Sequence, residues 1–209
     1  MYVPAQFEIR DTGDMFRLIR QNGFGILFSQ VKGHPFATHL PFVVNEAGGE
    51  KGSLSGHLAK ANPHWRELDG AEVLVVFQGP HAYISPSWYA EKQAVPTWNY
   101  VAVHVYGQCR IVQDERELRT LLSEMTRFYE PDSPLADHLD EEFYVKMANA
   151  IVGFEIRIAA MEGKAKLSQN RSADTIRGVI DGLSKSPECL DVEVAKLMRT
   201  TTPYAHAPR

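Results

Sequence analysis

Cysteine is scarce in this chain: Cys109 and Cys189 are the only two in 209 residues. Two thiols that far apart offer neither a disulfide framework nor a CxxC metal pattern, and free thiols in a reducing cytoplasm are the expectation. Long apolar runs are missing as well. No stretch approaches the roughly 20 residues that span a bilayer, and the opening MYVPAQFEIRD lacks the basic-then-apolar pattern of a secretory signal. A cytoplasmic protein with no membrane partner is therefore expected. There is no excess of positive charge, with 22 Lys and Arg against 26 Asp and Glu. A surface that is basic all over is excluded, and any nucleic-acid contact has to come from a local patch. His34, His39, His57, His64, His81, His104 and His138 are scattered, with no HExxH or Glu-x-x-His spacing, so no metal site is expected. Internal repeats, low-complexity blocks and long flexible linkers are absent.

What the chain has in quantity is aromatic and polar side chains between Gly79 and Gly107, GPHAYISPSWYAEKQAVPTWNYVAVHVYG. Tyr83, Trp88, Tyr89, Trp98, Tyr100 and Tyr106 supply flat surface. His81, Ser85, Ser87, Thr97, Asn99 and His104 supply polar tips, and Pro80, Pro86 and Pro96 break the run into short extended pieces. A packed sheet explains the aromatics, since they favour strands, but not the polar group beside nearly every one.

Hydropathy patterning places strands at 24–31, 36–45, 52–58, 72–78, 82–86, 97–112 and 152–161, with turns at Lys32–Pro35 and Gly79-Pro80. Helices are predicted over 12–21, 63–69, 114–129, 141–148, 172–183 and 186–201, the fourth helix coming after a stop at Glu130–Pro134. Successive strands with short connections indicate an antiparallel barrel or curled sheet. The chain reads as one barrel-like domain over residues 1–170 with a helical extension, 171–209, packed on it, and the tail after Pro203 reads as loose.

A second chemical signal lies at Ser55–Trp65, SGHLAKANPHW. Asn62 before Pro63 is an N-cap followed by proline at the first helical position. The free N–H groups of such a helix start favour an anion. Ser55, His57 and Lys60 lie just upstream and suit a phosphate. The alternative is a capped helix beside a solvated Lys60 and a satisfied His57.

Several motifs in one order resemble a known family: MYVP with Phe7, GHLAKANPHW at 56–65, GPHAYISPSWY at 79–89, VPTWNY at 95–100, GFEI at 153–156, and KLSQNRS with Gly178 and Ile180 beyond it. Together they resemble the PaiB-type transcriptional regulators of the FMN-binding split-barrel superfamily, over nearly the whole chain. The resemblance implies a mainly β fold with helices (α+β), namely a six-stranded antiparallel split β-barrel of the FMN-binding type with helical C-terminal additions. It implies a homodimer, a flavoprotein, and a negative regulator of sporulation and extracellular protease production. It also implies where FMN would sit, with the phosphate near Ser55, His57, Lys60 and Asn62. The ring would lie near Tyr83, Ser85, Thr97, Trp98 and Asn99, with Lys166 and Gln169 reaching the site from the same subunit or its partner.

Two other functions compete. Direct DNA binding has in its favour Lys164, Lys166, Arg171, Arg177 and Lys185, followed by two helices joined near Ser186-Pro187. Against it, the second helix opens with Glu188, Asp191 and Glu193, where a recognition helix would face phosphates, so no clear recognition helix is present. A flavin-dependent oxidoreductase or haem-handling enzyme is the other reading. No catalytic constellation stands out, but a flavin carries its own chemistry.

Overall fold

The structure is a computed structural model that describes residues 1–133 and 140–201. His138, Pro134 and the tail after Pro203 lie outside the described residues. The chain divides into two compact units, the first formed by residues 1–14, 78–103 and 162–209, the second by 15–77 and 104–161.

Among the described residues eight strands form the sheet: β1 (Glu8–Ile9), β2 (Phe24–Val31), β3 (His34–Pro41), β4 (Val43–Asn45), β5 (Ser53–Ala59), β6 (Glu72–Ile84), β7 (Thr97–Val112) and β8 (Ile151–Lys166). The order is β3-β2-β6-β7-β8-β5-β4, with β1 beside β8, and neighbours run antiparallel where their register is defined. Six strands are long and two, β1 and β4, have two and three residues. This is the mainly β, α+β, six-stranded split-barrel class to which the motifs pointed.

In the second unit the core is aromatic at its centre. Phe42 meets Phe77 and Phe154 edge-on, at 5.4 and 5.7 Å between centroids. Phe42 also ends the strand expected over 36–45. Its N–H donates to the Gly23 carbonyl at 2.8 Å, and the chain changes partner there. β3 pairs with β2, whereas β4 pairs with β5. Helix α1 (Thr12–Gln21) buries Met15, Phe16 and Ile19. Helix α2 (Glu115–Tyr129) starts at Asp114, whose carboxylate accepts from the N–H groups of Arg116 and Glu117. Its Leu118, Leu121 and Met125 pack with Val43 and Val112. A Cβ at Gly153 would lie 2.9 Å from Leu118, so only glycine admits the helix so close to β8. Helix α3 (Glu141–Ala148) buries Tyr144.

In the first unit, helices α4 (Ala173–Ser184) and α5 (Cys189–Thr201) bury Ile176, Val179, Ile180 and Leu183 from one, and Val194, Ala195 and Met198 from the other. The Ser172 hydroxyl caps α4 through the Thr175 N–H. Gly178 and Gly182, one turn apart on α4, receive Trp88. A Cβ on the first would lie 2.2 Å from the Trp88 carbonyl oxygen, and one on the second 2.5 Å from its ring.

Two further element boundaries differ from the sequence reading for local reasons. Gly79-Pro80 is not a turn, because β6 runs through it. On β6, the pairing with β2 runs over Leu74, Val75 and Val76, so Pro80 lies beyond the β2 ladder, where there is no bond on that edge for a missing N–H to break. The final strand extends past residue 161 because β1 pairs with it at Gly163 and Lys164.

Candidate functional site

The expected helix at 63–69 is a single 3-10 turn, Pro63–Glu67. Asn62 caps it, its side-chain oxygen accepting from the His64 N–H at 3.0 Å. The other end of the Asn62 amide donates to the Thr38 hydroxyl at 3.2 Å. His64 is fully buried, with Nε2 2.7 Å from the Ser29 hydroxyl and Nδ1 2.8 Å from that of Thr38. Burial lowers its pKa below the ordinary histidine value. The His64 N–H of this turn is thus taken by its own cap, and the Asn62 and His64 side chains are engaged with Thr38 and Ser29.

The upstream residues do not converge on one hollow. Lys60 is exposed and lines a cavity of about 450 Å³ with Trp65, Val112, Leu118, Tyr144 and Asn149. Its carbonyl accepts from the Trp65 indole at 2.9 Å. Ser55 lines a different hollow, of about 390 Å³, with Asn45, Arg110 and Arg116. His57 shares the Ser55 face of β5 by the two-residue period and pairs in register with Gly153. It is half-buried, its Nδ1 has no hydrogen-bond partner among the described residues, and burial lowers its pKa.

The first unit gathers the other candidates differently. His81 and Tyr83 alternate with buried Ala82 and Ile84 on β6. On β7, Trp98 and Tyr100 alternate with buried Asn99 and Val101. The outward side chains form one aromatic face. The Tyr83 and Trp98 rings meet edge-on at 6.0 Å, His81 lies 6.3 Å from Trp98, and Trp98 is still 53% exposed. Lys166 reaches this face, its Nζ 2.5 Å from both the Thr97 hydroxyl and the Trp98 carbonyl. Asn99 points inward and is fully buried, with its amide donating to the Ser168 hydroxyl at 3.0 Å. Ser85 caps the turn Pro86–Trp88 through the Ser87 N–H. The Gln169 side chain folds back, its oxygen accepting from the Leu167 N–H and its nitrogen donating to the Ala165 carbonyl. Thr97, Trp98 and Lys166 are therefore brought together, with Tyr83 against Trp98, whereas Ser85, Asn99 and Gln169 serve their own turns and interior.

In the sequence reading Lys164 and Arg171 are candidates for DNA contact and Tyr89 for flat surface, none of them for the flavin phosphate. Lys164 is 7% exposed, donates to the Tyr2 carbonyl at 3.1 Å, and lies over the rings of Tyr2 and Tyr100 at 5.6 and 5.2 Å. The Arg171 guanidinium covers Tyr89 at 5.1 Å, and the buried Tyr89 hydroxyl has no hydrogen-bond partner among the described residues. Burial, then Lys164 and Arg171, lower the pKa of the Lys166 ammonium. The available signal was the two-residue spacing of Lys164 and Lys166, which puts both on one face once the strand is known to continue through them.

Residues 1–160 match the family described as "Putative FMN-binding domain". The chain belongs to that family. The Bacillus subtilis (strain 168) protein named Protease synthase and sporulation protein PAI 2 is 38% identical over 202 residues, covering 95% of this chain and 96% of that relative. An uncharacterised protein of the fungus Emericella nidulans is 32% identical over 87% of this chain and 90% of its own length. Among solved structures, the flavocytochrome Anf3 of Azotobacter vinelandii superposes with a TM-score of 0.60 at 15% identity, over 76% of this chain and 69% of that one. The FAD and haem binding protein of Mycobacterium smegmatis gives 0.59 at 16% identity, over 76% and 73%. At such low identity these two likenesses speak to fold alone. The family membership agrees with the resemblance carried by the motifs. Among the described residues no His, Cys, Asp and Glu side chains cluster as metal ligands, and no helix is long and apolar enough to cross a membrane.

Proposed function

We propose that this chain is a PaiB-type negative transcriptional regulator that binds FMN or a similar flat, anionic ligand, with sporulation and protease production as its field of action. The observation that carries the reading is the Trp98 face. An indole that is half exposed, flanked by Tyr83 and His81, with an ammonium held against its own backbone carbonyl, suits a planar ring bearing a negative tail. Membership of an FMN-binding family and the name of the Bacillus relative support it.

The protein acts as a homodimer in this reading. Helices α4 and α5 spend their apolar faces within the first unit, and Asp191 lies in the first turn of α5. Regulation then passes through a partner rather than through a recognition helix on this chain.

Titration of the purified protein with FMN, followed by flavin absorbance and fluorescence, tests the ligand. Saturable uptake that Trp98→Ala weakens supports the reading; no uptake at about millimolar FMN, an affinity too weak to matter at ordinary flavin levels, overturns it. NADPH oxidation on addition of FMN would move the assignment to a flavin-dependent oxidoreductase.

A further inference from the structure

The segment joining β6 to β7 exceeds the few residues that a hairpin needs. Residues 85–96 leave β6 after Ile84 and return to β7 at Thr97. Their first half lies along α4. Trp88 fills the notch left by Gly178 and Gly182. Tyr89 is buried with the Arg171 guanidinium over its ring. The Ala90 N–H donates to the Thr175 hydroxyl at 3.0 Å. The Glu91 carboxylate then reaches the first turn of α4, the end of a helix that favours an anion. It accepts from the Ser172 hydroxyl at 3.1 Å and from the Thr175 hydroxyl, and the bond from Thr175 is the main cause of its lowered pKa. Beyond Glu91 the character changes, with Lys92, Gln93, Val95 and Pro96 exposed.

Thr175 is fully buried, and its oxygen accepts from Ala90, so its one proton is committed to Glu91. The Ser172 oxygen accepts from the Thr175 N–H at 3.3 Å, and its proton also goes to Glu91. One partly exposed carboxylate therefore satisfies both hydroxyls. It does so at the rim of α4, away from the packed face of Ile176, Val179, Ile180 and Leu183. Both roots of the segment lie at the aromatic face, Tyr83 just before it and Trp98 just after. At the second root the Lys166 ammonium ties the Thr97 hydroxyl to the Trp98 carbonyl. We propose that residues 85–96 are a strap, that Glu91 is the catch fastening it to α4, and that occupation of the Tyr83–Trp98 face releases it. The catch follows from these contacts; its release by a ligand rests on the function proposed for that face. A negative tail that draws Lys166 off the Thr97 and Trp98 oxygens frees the start of β7, and the strap loses its fixed end. Once released, it uncovers α4 around the Trp88 notch, which changes the surface that a partner meets.

Limited trypsin digestion of the full chain reads the catch. Cleavage after the exposed Lys92 needs the strap to leave the surface, and its rate tracks the open population when closing is fast. Glu91→Ala should raise the rate of the Lys92 cut, identified by mass spectrometry, at least about tenfold, the worth of one charged hydrogen bond. Glu91→Gln, which keeps one acceptor oxygen, should fall between the two. The melting temperature of Glu91→Ala should stay within about 2 °C of wild type, since no core group is removed. An unchanged rate overturns the catch. A larger fall in melting temperature overturns it as well, because Glu91 would then belong to the cooperative fold.

Lys166→Ala, with no ligand added, should speed the same cut at least about fivefold, the lower end of ordinary coupling between sites. No change there severs the strap from the aromatic face and overturns the coupling. In wild type, saturating FMN should also speed the cut, and Glu91→Ala should in turn bind FMN more tightly, because coupling is reciprocal. FMN that binds without speeding the cut overturns release by the ligand and leaves the flavin reading intact. If wild type takes up no FMN, the flavin reading falls on its own, and the Glu91→Ala and Lys166→Ala rates decide the strap by themselves.

Discussion

Lys60 in the second unit and Lys166 in the first each stand beside a tryptophan, yet the two neighbourhoods use their polar atoms in opposite ways. Around Lys60 the groups satisfy one another. The Trp65 indole donates to the Lys60 carbonyl, Asn62 caps the turn, and His64 joins the hydroxyls of Ser29 and Thr38. Around Lys166, among the described residues, the ammonium of Lys164 bonds a carbonyl, the guanidinium of Arg171 lies on the Tyr89 ring, and the ring of Trp98 is half exposed. A lysine near an indole is thus no site in itself. What separates structure from function is whether the hydrogen-bonding capacity is already spent.

That contrast breaks most visibly at His64. His64→Ala should cost about 2–4 kcal/mol, because a fully buried ring is lost and the Ser29 and Thr38 hydroxyls are stranded. Urea denaturation measures it, and a loss well below this would mean that the network is not structural. In the first unit, Gly182→Ala should cost about 1–3 kcal/mol by forcing Trp88 from its seat on α4, read as a lowered melting temperature. Asn62→Ala should cost about 1 kcal/mol, the worth of a cap, with flavin affinity unchanged in the same titrations. Trp98→Ala sharpens the comparison from the other side, with stability unchanged to about 0.5 kcal/mol at this exposed site and flavin uptake weakened.

The smallest effect is in pH. Burial lowers the pKa of both His57 and His64, so the unfolded chain binds protons at a higher pH than the folded one. Their contribution to stability is complete above about pH 6.5, the unfolded value, and is lost as pH falls towards the lowered folded values. The urea midpoint should drop between about pH 7.5 and about pH 5.5, and His57→Gln should flatten part of that slope. An unchanged midpoint would mean that both rings titrate alike in the two states.

Much of the fold was legible because it rests on short-range rules. The alternation of Val101, Val103 and Val105 against Ala102, His104 and Tyr106 marks β7 without any neighbour. Leu118, Leu121 and Met125 mark the buried stripe of α2, and Asp114 its cap. The misreadings occurred where a neighbour decides. Gly79-Pro80 carries a turn composition, but β6 runs straight through because no β2 ladder is present there to lose. The 36–45 segment reads as one strand, but Phe42 turns into the core and hands the chain from β2 to β5.

The candidate site divides along the same line. From sequence, Trp98, Thr97 and Lys166 can be named as residues of the right kind, and the structure sets them against one another. Ser85, Asn99 and Gln169 carry equally suitable groups, but those groups are bonded to their own turns and interior. Lys164 could not be singled out, because its burial depends on Tyr2 and Tyr100, which lie far from it in the chain.

The order of strands and helices, the aromatic richness of residues 79–107 and the family of the chain were determined by the sequence alone, since periodicity, capping and motif order are properties of neighbouring residues. Which lysine is buried and which lies beside a half-exposed indole was decided only by tertiary structure. Hydrogen bonds and ion pairs join residues tens of positions apart, and a donor's worth to a ligand depends on whether such a partner has already claimed it.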